Sequence, residues 1–253
     1  MNIAKEDSSS LNELAGKKFM ITGAKGMLGS AFYDQINKYI KNPKIYYLDK
    51  SQLDVTNINA FDKYFDLKPD FIIHCASLVN ADECETNKEK ANEIIIKGTK
   101  NIIKFASKNN SKIFYPQSFL IHNNIDEIIN EETKPKPLSV YGNLKLEAEN
   151  IIVKSSIDYL SVCMGGFFGG LNKDKNFVGK IILHISKLIK TGKKSLEIGN
   201  RIWQPTFTND LAFNSLLLMA NKKSGKFCMS SHGYCSFFDL TKKILGILNI
   251  SEK

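Results

Sequence analysis

The stretch Thr22-Gly23-Ala24-Lys25-Gly26-Met27-Leu28-Gly29 follows a short apolar run at 17–21 and precedes a segment, 27–40, with apolar residues at helical spacing. Glycines at this spacing allow a tight turn, a close approach of the backbone to a ligand, and close packing of helix on strand. The helix start also directs free N–H groups at an anion such as a pyrophosphate. The pattern therefore predicts a dinucleotide-binding loop. The residues expected to line it are Gly23, Lys25, Gly26, Met27, Leu28 and Gly29.

An acidic residue ends the next predicted strand. Asp49 lies about 20 positions after Gly29, the separation typical of a dinucleotide fingerprint. Its carboxylate is placed to accept hydrogen bonds from the adenine ribose, which favours NAD, while Lys25 and Lys50 keep NADP as an alternative. The residues expected beside the adenine are Asp54 and Val55. The alternative without ligand binding is a structural glycine turn with an unrelated surface aspartate.

Predicted strands and helices alternate along the first two thirds of the chain. Helical connections of this length require parallel strands, so we expect an α/β fold with a Rossmann-type doubly wound parallel sheet. The residues after the third strand, Cys75, Ala76 and Ser77, are expected to pass the cofactor. The predicted strands are 17–21, 44–48, 70–74, 112–115, 159–164 and 226–229, with a short extended piece at 195–198. The predicted helices are 27–40, 57–67, 88–109, 139–154, 177–190, 208–220 and 237–248.

The pattern changes after Gly165, where Gly-Gly-Phe-Phe-Gly-Gly forms a flexible turn region. We therefore expect a flexible leader at 1–15, an NAD(P)-binding Rossmann domain at 16–164, and a small substrate-binding lobe at 165–253 that is interleaved with the last sheet strands.

Composition narrows the class of protein. The chain has 253 residues, of which 43% are hydrophobic, so an intrinsically disordered protein is not expected. The longest apolar stretches, such as 216–220, are too short to cross a bilayer. Residues 1–10 are polar and do not resemble a secretory signal. These features favour a cytoplasmic protein without membrane association.

The net charge of +9 raises the hypothesis of nucleic-acid binding. Of the 35 basic residues only Arg201 is an arginine, and the lysines are spread over the whole chain. Readers of bases and phosphates rely on the bidentate arginine fork, so no nucleic-acid partner is expected.

The five cysteines contain no Cys-x-x-Cys pair, and the four histidines lack the spacing of a metal site. We expect reduced, mostly packed thiols and no metal.

Tyr141 and Lys145 lie one helical turn apart on one face of a predicted helix. A neighbouring cation lowers the pKa of a phenol, so that Tyr141 would act as a general acid or base. The same spacing occurs in two other pairs, Tyr46/Lys50 and Tyr64/Lys68. The first lies in a predicted strand and the second where the chain re-enters the sheet. Position therefore favours Tyr141 and Lys145 as catalytic residues.

These residues together resemble the extended short-chain dehydrogenase/reductase superfamily, its NAD-dependent epimerase/dehydratase group, and within it the dTDP-4-dehydrorhamnose reductase-like branch. The most specific match is 137–149, which contains Tyr141, Lys145 and Glu149. The other matching parts are 22–29, 53–57, 69–76, Asp82, Glu85, 92–101 and 205–212.

The resemblance implies NAD(P)-dependent redox chemistry on a nucleotide-linked sugar. Hydride would move between the nicotinamide and a sugar carbon while Tyr141 handles the proton of the oxygen and Lys145 holds the nicotinamide ribose. Reductases, epimerases and dehydratases share this scaffold, so the reaction type stays open, with reduction of a keto-sugar nucleotide favoured. A homodimer is a further alternative.

The sequence departs from the family pattern in three places. The Ser or Thr that ends the fourth strand falls on Gln117, with Ser118 next to it, and either could donate a hydrogen bond to the substrate. The arginine usual after the fifth strand is Cys163. Family members generally continue past the position of Lys253, so we expect an abbreviated substrate lobe. These departures motivate a second hypothesis, a non-catalytic NAD(P)-binding regulatory or scaffold subunit.

Three residues are candidates for substrate binding. Arg201 could grip a diphosphate, although a solvated surface residue is an equal alternative. Trp203 could stack on a base or sugar, with buried packing as the more common role for this residue type. The third candidate is Asn80.

Overall fold

The first strand, β1 (Lys18–Thr22), lies inside a six-stranded sheet of the computed structural model, which describes residues 7–123, 128–192 and 195–250. The sheet order is β2-β1-β3-β4-β5-β9, and every neighbouring pair is parallel. The other strands of this sheet are β2 (Lys44–Leu48), β3 (Phe71–His74), β4 (Lys112–Ser118), β5 (Tyr159–Met164) and β9 (Gly225–Met229). The predicted Rossmann-type doubly wound sheet is confirmed.

Helices cover both faces of the sheet. Side chains alternate along a strand, so Phe19 and Ile21 pack into the cluster under α1 (Met27–Tyr39) and α7 (Thr208–Ala220). Met20 packs into the cluster under α4 (Gly98–Asn109) and α5 (Val140–Lys154). In the described part of the chain no helix is long and apolar enough to span a membrane. The helices are α1 (Met27–Tyr39), α2 (Ala81–Thr86), α3 (Lys88–Asn92), α4 (Gly98–Asn109), α5 (Val140–Lys154), α6 (Phe177–Thr191), α7 (Thr208–Ala220) and α8 (Phe237–Ile247).

The strand order reverses at β1, which pairs with β2 on one side and with β3 on the other. The connections from β1 and β3 therefore leave the sheet in opposite directions and open a crevice at its carboxyl edge. The glycine loop lies at this crevice. The tertiary structure thus puts the predicted dinucleotide loop at the position where doubly wound sheets bind ligands.

The C-terminal region contributes both to the main sheet and to a separate cluster. Strand β9 extends the sheet beside β5, while α6 and α8 pack together through Ile181, Ile185 and Ile244. Two small sheets connect these parts. They pair β6 (Phe167–Phe168) with β8 (Thr206–Phe207), and β7 (Ile202–Trp203) with β10 (Cys235–Ser236).

Three elements differ from the expected ones. Segment 57–67 forms a 3-10 helix (Ile58–Leu67) rather than an α-helix, and apolar spacing does not separate the two over so short a length. The expected helix at 88–109 is interrupted by a π-helical turn (Glu93–Lys97) between α3 and α4. Residues 195–198 form no strand; Leu196 and Ile198 instead pack against the α6–α8 cluster.

The N-terminal segment also differs from the expected flexible leader. Residues 1–6 lie outside the described residues, but Asp7–Leu14 forms a 3-10 helix that packs against α7. Leu11 and Leu14 are three residues apart and therefore lie on one side of this helix, where they are 1% and 2% exposed. The polar composition of residues 1–10 suggested a flexible segment, but Leu11 and Leu14, which follow it, anchor this part of the chain.

The Leu14→Ala variant tests this anchor. Truncating a fully buried leucine removes apolar contacts and leaves a cavity, so we expect the free energy of unfolding to fall by about 2–5 kcal/mol. The matched control is Glu13→Ala, because Glu13 is a neighbour in the same helix with a side chain 61% exposed, and its expected effect is within about 0.5 kcal/mol. Urea unfolding followed by circular dichroism measures both. Equal effects of the two variants would contradict the anchoring role.

Candidate active site

The glycine loop between β1 and α1 is packed directly onto the end of β3. Gly23 has a φ of +61°, and a Cβ atom there would lie 2.6 Å from the amide nitrogen of Ala76. At Gly29 a Cβ atom would lie 2.8 Å from the carbonyl oxygen of Ala24. Both positions therefore require glycine, the first for conformation and space and the second for helix packing.

The buried His74, at the end of β3, lies next to this loop and contacts residues of β1 and α4. The Nδ1 atom of His74 lies 3.0 Å from Thr22 Oγ1, and its Nε2 atom lies 3.3 Å from Thr99 Oγ1. Thr22 Oγ1 also accepts a hydrogen bond of 3.3 Å from the amide of Ala76. Burial, with the nearby charge of Lys145, lowers the pKa of His74 to about 3. A neutral imidazole therefore ties β1, β3 and α4 together beneath the loop.

Asp49 ends β2 beside the loop, as predicted, but its carboxylate is already engaged. Oδ1 accepts hydrogen bonds from the amide and hydroxyl of Ser51, at 2.8 and 2.5 Å, and from the amide of Gln52 at 3.2 Å. Oδ2 forms an ion pair with Lys25. The Lys25 ammonium and the Ser51 hydroxyl hold the pKa of Asp49 well below its usual range. The adjacent Lys50 is exposed.

Asn101, which was not among the predicted cofactor contacts, fixes the segment expected beside the adenine. The Asn101 side chain donates a 2.9 Å hydrogen bond to the carbonyl oxygen of Val55. A Cβ atom at Gly98 would lie 2.8 Å from Val55 Cγ2, so α4 packs tightly against this segment. Asp54 accepts hydrogen bonds from the amide and hydroxyl of Thr56, at 3.0 and 2.8 Å.

The residues after β3 offer one unused polar group. Ser77 Oγ is buried, and no hydrogen-bond partner for it lies within the described residues. A buried hydroxyl in this state is destabilising unless a ligand or water satisfies it. Burial raises the pKa of the neighbouring Cys75 to about 12, so its thiol stays protonated.

Tyr141, Lys145 and Glu149 form a buried stripe along α5, at successive four-residue steps. Their exposed fractions are 8%, 3% and 3%. The helix begins at Val140, after Ser139, whose hydroxyl accepts a 3.0 Å hydrogen bond from the amide of Gly142. The stripe faces β4 and β5 at the carboxyl half of the sheet.

The protonation of Tyr141 differs from expectation. Burial raises its pKa to about 12, opposed by a hydrogen bond with Ser118, whereas we expected Lys145 to lower it. The Lys145 ammonium instead donates a 2.8 Å hydrogen bond to the carbonyl oxygen of Pro116 and lies 3.7 Å from the ring centroid of Tyr115. Burial lowers the pKa of Lys145 to about 7, with the Glu149 carboxylate acting in the opposite direction. Desolvation therefore outweighs the attraction that the spacing suggested.

The two candidates at the end of β4 have different surroundings. Gln117 is buried, its Nε2 donates to the carbonyl oxygen of Lys145 at 3.1 Å, and its Oε1 accepts from the amide of Ser118 at 2.8 Å. Ser118 Oγ accepts a hydrogen bond of 3.2 Å from the amide of Leu120 and lies close enough to the Tyr141 phenol to lower its pKa. The structure therefore brings Ser118, not Gln117, to the phenol.

Glu149, one residue of the 137–149 match, organises the far end of the stripe. Its carboxylate accepts a 2.5 Å hydrogen bond from Ser161 Oγ and forms a 2.8 Å ion pair with Lys226 of β9. Cys163, which stands where an arginine was expected, lies close enough for the Glu149 charge to act on its thiol. The cation beside Glu149 thus comes from the neighbouring strand. The repeated four-residue spacing on α5 was the available sequence signal.

The three expected substrate residues have other contacts in the fold. Asn80 caps α2, with Oδ1 accepting from the amides of Asp82 and Glu83 at 3.1 and 3.3 Å. Trp203 packs against Phe177 and Phe237 in the C-terminal region. Arg201 is exposed, and its carbonyl oxygen accepts a 2.9 Å hydrogen bond from the amide of Phe237.

The sequence pattern of the RmlD substrate binding domain family matches residues 17–253. The chain belongs to this family. It is thereby a member of the extended short-chain dehydrogenase/reductase superfamily, which confirms the resemblance drawn from the motifs.

Two solved structures illustrate the relationship of this RmlD family member to others. A dTDP-4-dehydrorhamnose reductase of Clostridium acetobutylicum is 30% identical, with a TM-score of 0.83 over 93% of this chain and 82% of that one. A dTDP-4-dehydrorhamnose reductase of Bacillus anthracis, in complex with NADP, is 26% identical, with a TM-score of 0.80 over 92% of this chain and 82% of its own.

A curated relative of this RmlD family member has a different description. Methionine adenosyltransferase 2 subunit beta of Xenopus tropicalis is 26% identical over 212 residues, which are 79% of this chain and 61% of that protein. The chain therefore spans less than two thirds of the length of this curated relative.

The buried Lys145 of this RmlD family member predicts a pH-dependent stability. The pKa is about 7 in the folded state and 10.5 in water, so between these values the unfolded chain binds a proton that the folded chain does not. Stability from this group therefore rises with pH across the window, by up to about 1.4 kcal/mol per pH unit. We expect the free energy of unfolding of the wild type, relative to Lys145→Met, to increase from pH 7 to 10.5.

The matched control is Lys154→Met, at an exposed position of the same helix. This substitution removes an equal charge from an exposed side chain, so it separates the effect of burial from that of the lost charge. Urea unfolding over the window measures both variants. A pH-independent difference for Lys145→Met would show that burial does not shift its protonation.

Proposed function

We propose that this protein is an NAD(P)H-dependent reductase of a keto-sugar nucleotide. The observation that carries the proposal is the buried Tyr141 phenol close to Ser118, at the same carboxyl edge of the sheet as the glycine loop. A buried proton donor at the edge that carries a dinucleotide loop suits the reduction of a carbonyl group. The substrate class comes from the relatives, two of which are dTDP-4-dehydrorhamnose reductases.

The residues around the crevice fit a nicotinamide dinucleotide. Gly23 lets the backbone of the loop lie against Ala76. The start of α1, where Gly26 provides no side-chain cap, directs N–H groups into the crevice. Ser77 offers a buried hydroxyl that awaits a hydrogen bond. The Lys25–Asp49 pair offers an ammonium to a ribose phosphate and a carboxylate to ribose hydroxyls. When bound, the reduced dinucleotide supplies a hydride.

The protein residues handle the proton. Because burial keeps the Tyr141 phenol protonated at neutral pH, the phenol can donate its proton to the carbonyl oxygen as that oxygen gains negative charge. Ser118 donates a second hydrogen bond to the same oxygen and lowers the cost of that charge. Lys145 contacts Pro116 and Tyr115, and we assign it the role of holding the nicotinamide ribose.

Of the expected substrate residues, Arg201 keeps its role in the proposal. Its exposed guanidinium could pair with the diphosphate of the nucleotide sugar. The side chains of Asn80 and Trp203 are engaged in a helix cap and an aromatic cluster, so we assign them a supporting role.

A second candidate is a regulatory subunit that binds the dinucleotide without turnover. It is favoured by the similarity to methionine adenosyltransferase 2 subunit beta and by Gln117 and Cys163, which depart from the catalytic pattern. Tight binding of NADPH together with no turnover of any keto-sugar nucleotide would support this candidate.

The Tyr141→Phe variant tests the proton donor. Loss of the phenolic oxygen should lower kcat by about 10²–10⁴-fold, the usual contribution of a general acid, with little change in the Kd for NADPH. Turnover of dTDP-4-dehydrorhamnose is followed by the loss of reduced-nicotinamide absorbance. The matched control is Tyr64→Phe, which removes the hydroxyl that donates to the carbonyl oxygen of Gln52 and should keep wild-type kcat. Wild-type kcat in Tyr141→Phe would rule out the proposed role.

The Lys25→Ala variant tests the choice of cofactor. It removes the cation offered to a ribose 2′-phosphate and leaves the Asp49 carboxylate unpaired, so NADPH should bind about tenfold more weakly or worse. Binding of NADH should change much less. Isothermal titration with both cofactors gives the two ratios. The control, Lys44→Ala, removes an equal charge at the opposite end of β2 and should alter neither. An equal loss for NADH and NADPH would contradict a role for Lys25 in phosphate recognition.

A further inference from the structure

Two cysteines face each other across the last strand pair of the main sheet. Cys163 of β5 and Cys228 of β9 are register partners in parallel strands. Neighbouring strands lie about 4.8 Å apart, which is inside the range of Cα separations found in disulfides. The backbone therefore already holds the two residues at a distance that a disulfide can bridge.

The two thiols lie close enough to act on each other, and both residues are partly exposed. The Cys163 thiol lowers the pKa of Cys228, against the effects of burial and of Glu131 and Glu149. The Cys228 sulfur raises the pKa of Cys163, together with burial. The thiol with the lowered pKa is the better nucleophile, so we assign the first attack to Cys228.

A small pocket opens onto these sulfurs. Its volume is about 60 Å³, and its lining includes His122, Glu131, Glu149, Lys226 and both cysteines. A single water needs about 10–15 Å³ of such space, so the pocket can admit a molecule the size of hydrogen peroxide.

His122 supplies an independent observation. Its Nδ1 atom is buried and has no hydrogen-bond partner within the described residues. Burial lowers the pKa of His122, so the ring is neutral and can donate or accept one hydrogen bond in the pocket. A polar ligand in this pocket could form a hydrogen bond with the Nδ1 atom of His122.

We propose that Cys163 and Cys228 form a redox-active dithiol that hydrogen peroxide converts to a disulfide. The Cys228 thiolate attacks one peroxide oxygen and breaks the O–O bond, giving a sulfenic acid and hydroxide, which takes up a proton to become water. The Cys163 thiol, after losing its proton, attacks the Cys228 sulfur and expels hydroxide, which leaves as a second water. Two thiols are oxidised to one disulfide, and one peroxide is reduced to two waters. This modification site does not depend on the proposed reductase activity.

Oxidation of the full-length protein tests the proposal. The reduced protein is treated with one equivalent of hydrogen peroxide, and its mass and tryptic peptides are analysed without reduction. We expect the loss of two hydrogens per chain, a cross-linked peptide pair containing Cys163 and Cys228, and full reversal by dithiothreitol. Oxidation confined to Cys75, Cys84 or Cys235, with no cross-link between 163 and 228, would overturn it.

Single variants separate the two roles. In Cys163→Ser, a sulfenic acid on Cys228 should persist and be trapped by dimedone. In Cys228→Ser, Cys163 should stay reduced. The matched control is Cys235→Ser, at another partly exposed cysteine, which should keep the cross-link. Circular dichroism confirms that each variant is folded, and the wild-type peptide map decides the outcome if one is not. Dimedone labelling of Cys163 rather than Cys228 would contradict the assigned nucleophile.

Discussion

The close approach of the glycine loop to the end of β3 is the contact on which the rest of the site depends. Without a side chain at Gly23, the backbone of the loop lies against Ala76. The same approach lets Thr22, His74 and Thr99 connect β1, β3 and α4 through buried polar groups. A larger residue would separate the strand ends and displace α1. The shape of the crevice at this point therefore depends on the close contact between the backbones of Gly23 and Ala76.

Burial controls the chemistry at the other side of the crevice. Tyr141 and Lys145 are both buried. Burial raises the pKa of Tyr141 and lowers the pKa of Lys145, so both shifts favour the neutral form of the side chain. This desolvation opposes the mutual effect that their spacing suggests, and it leaves the phenol as an acid. Ser118 is the neighbour that favours the phenolate, while Lys145 is drawn to Pro116 and Tyr115. A protonated phenol is what the proposed role of Tyr141 as a proton donor requires.

The last strand of the sheet supplies contacts to residues that precede it in the chain. Strand β9 brings Lys226 to Glu149, which supplies a cation next to the position where Cys163 replaces the expected arginine. It also brings Cys228 to Cys163, so that two cysteines distant in sequence become a pair. The departure at Cys163 therefore lies beside residues from the C-terminal part of the chain.

The sequence by itself determined the features that depend on local spacing. Three glycines, the alternation of strands with helices, and the Tyr141–Lys145 spacing each depend on residues close together in the chain, and periodicity reports such relations well. Only the tertiary structure decided protonation, the choice between Gln117 and Ser118, the pairing of Asp49 with Lys25, and the burial of Leu11 and Leu14. Desolvation and strand register depend on groups from distant parts of the chain, and no local pattern encodes how closely those groups approach.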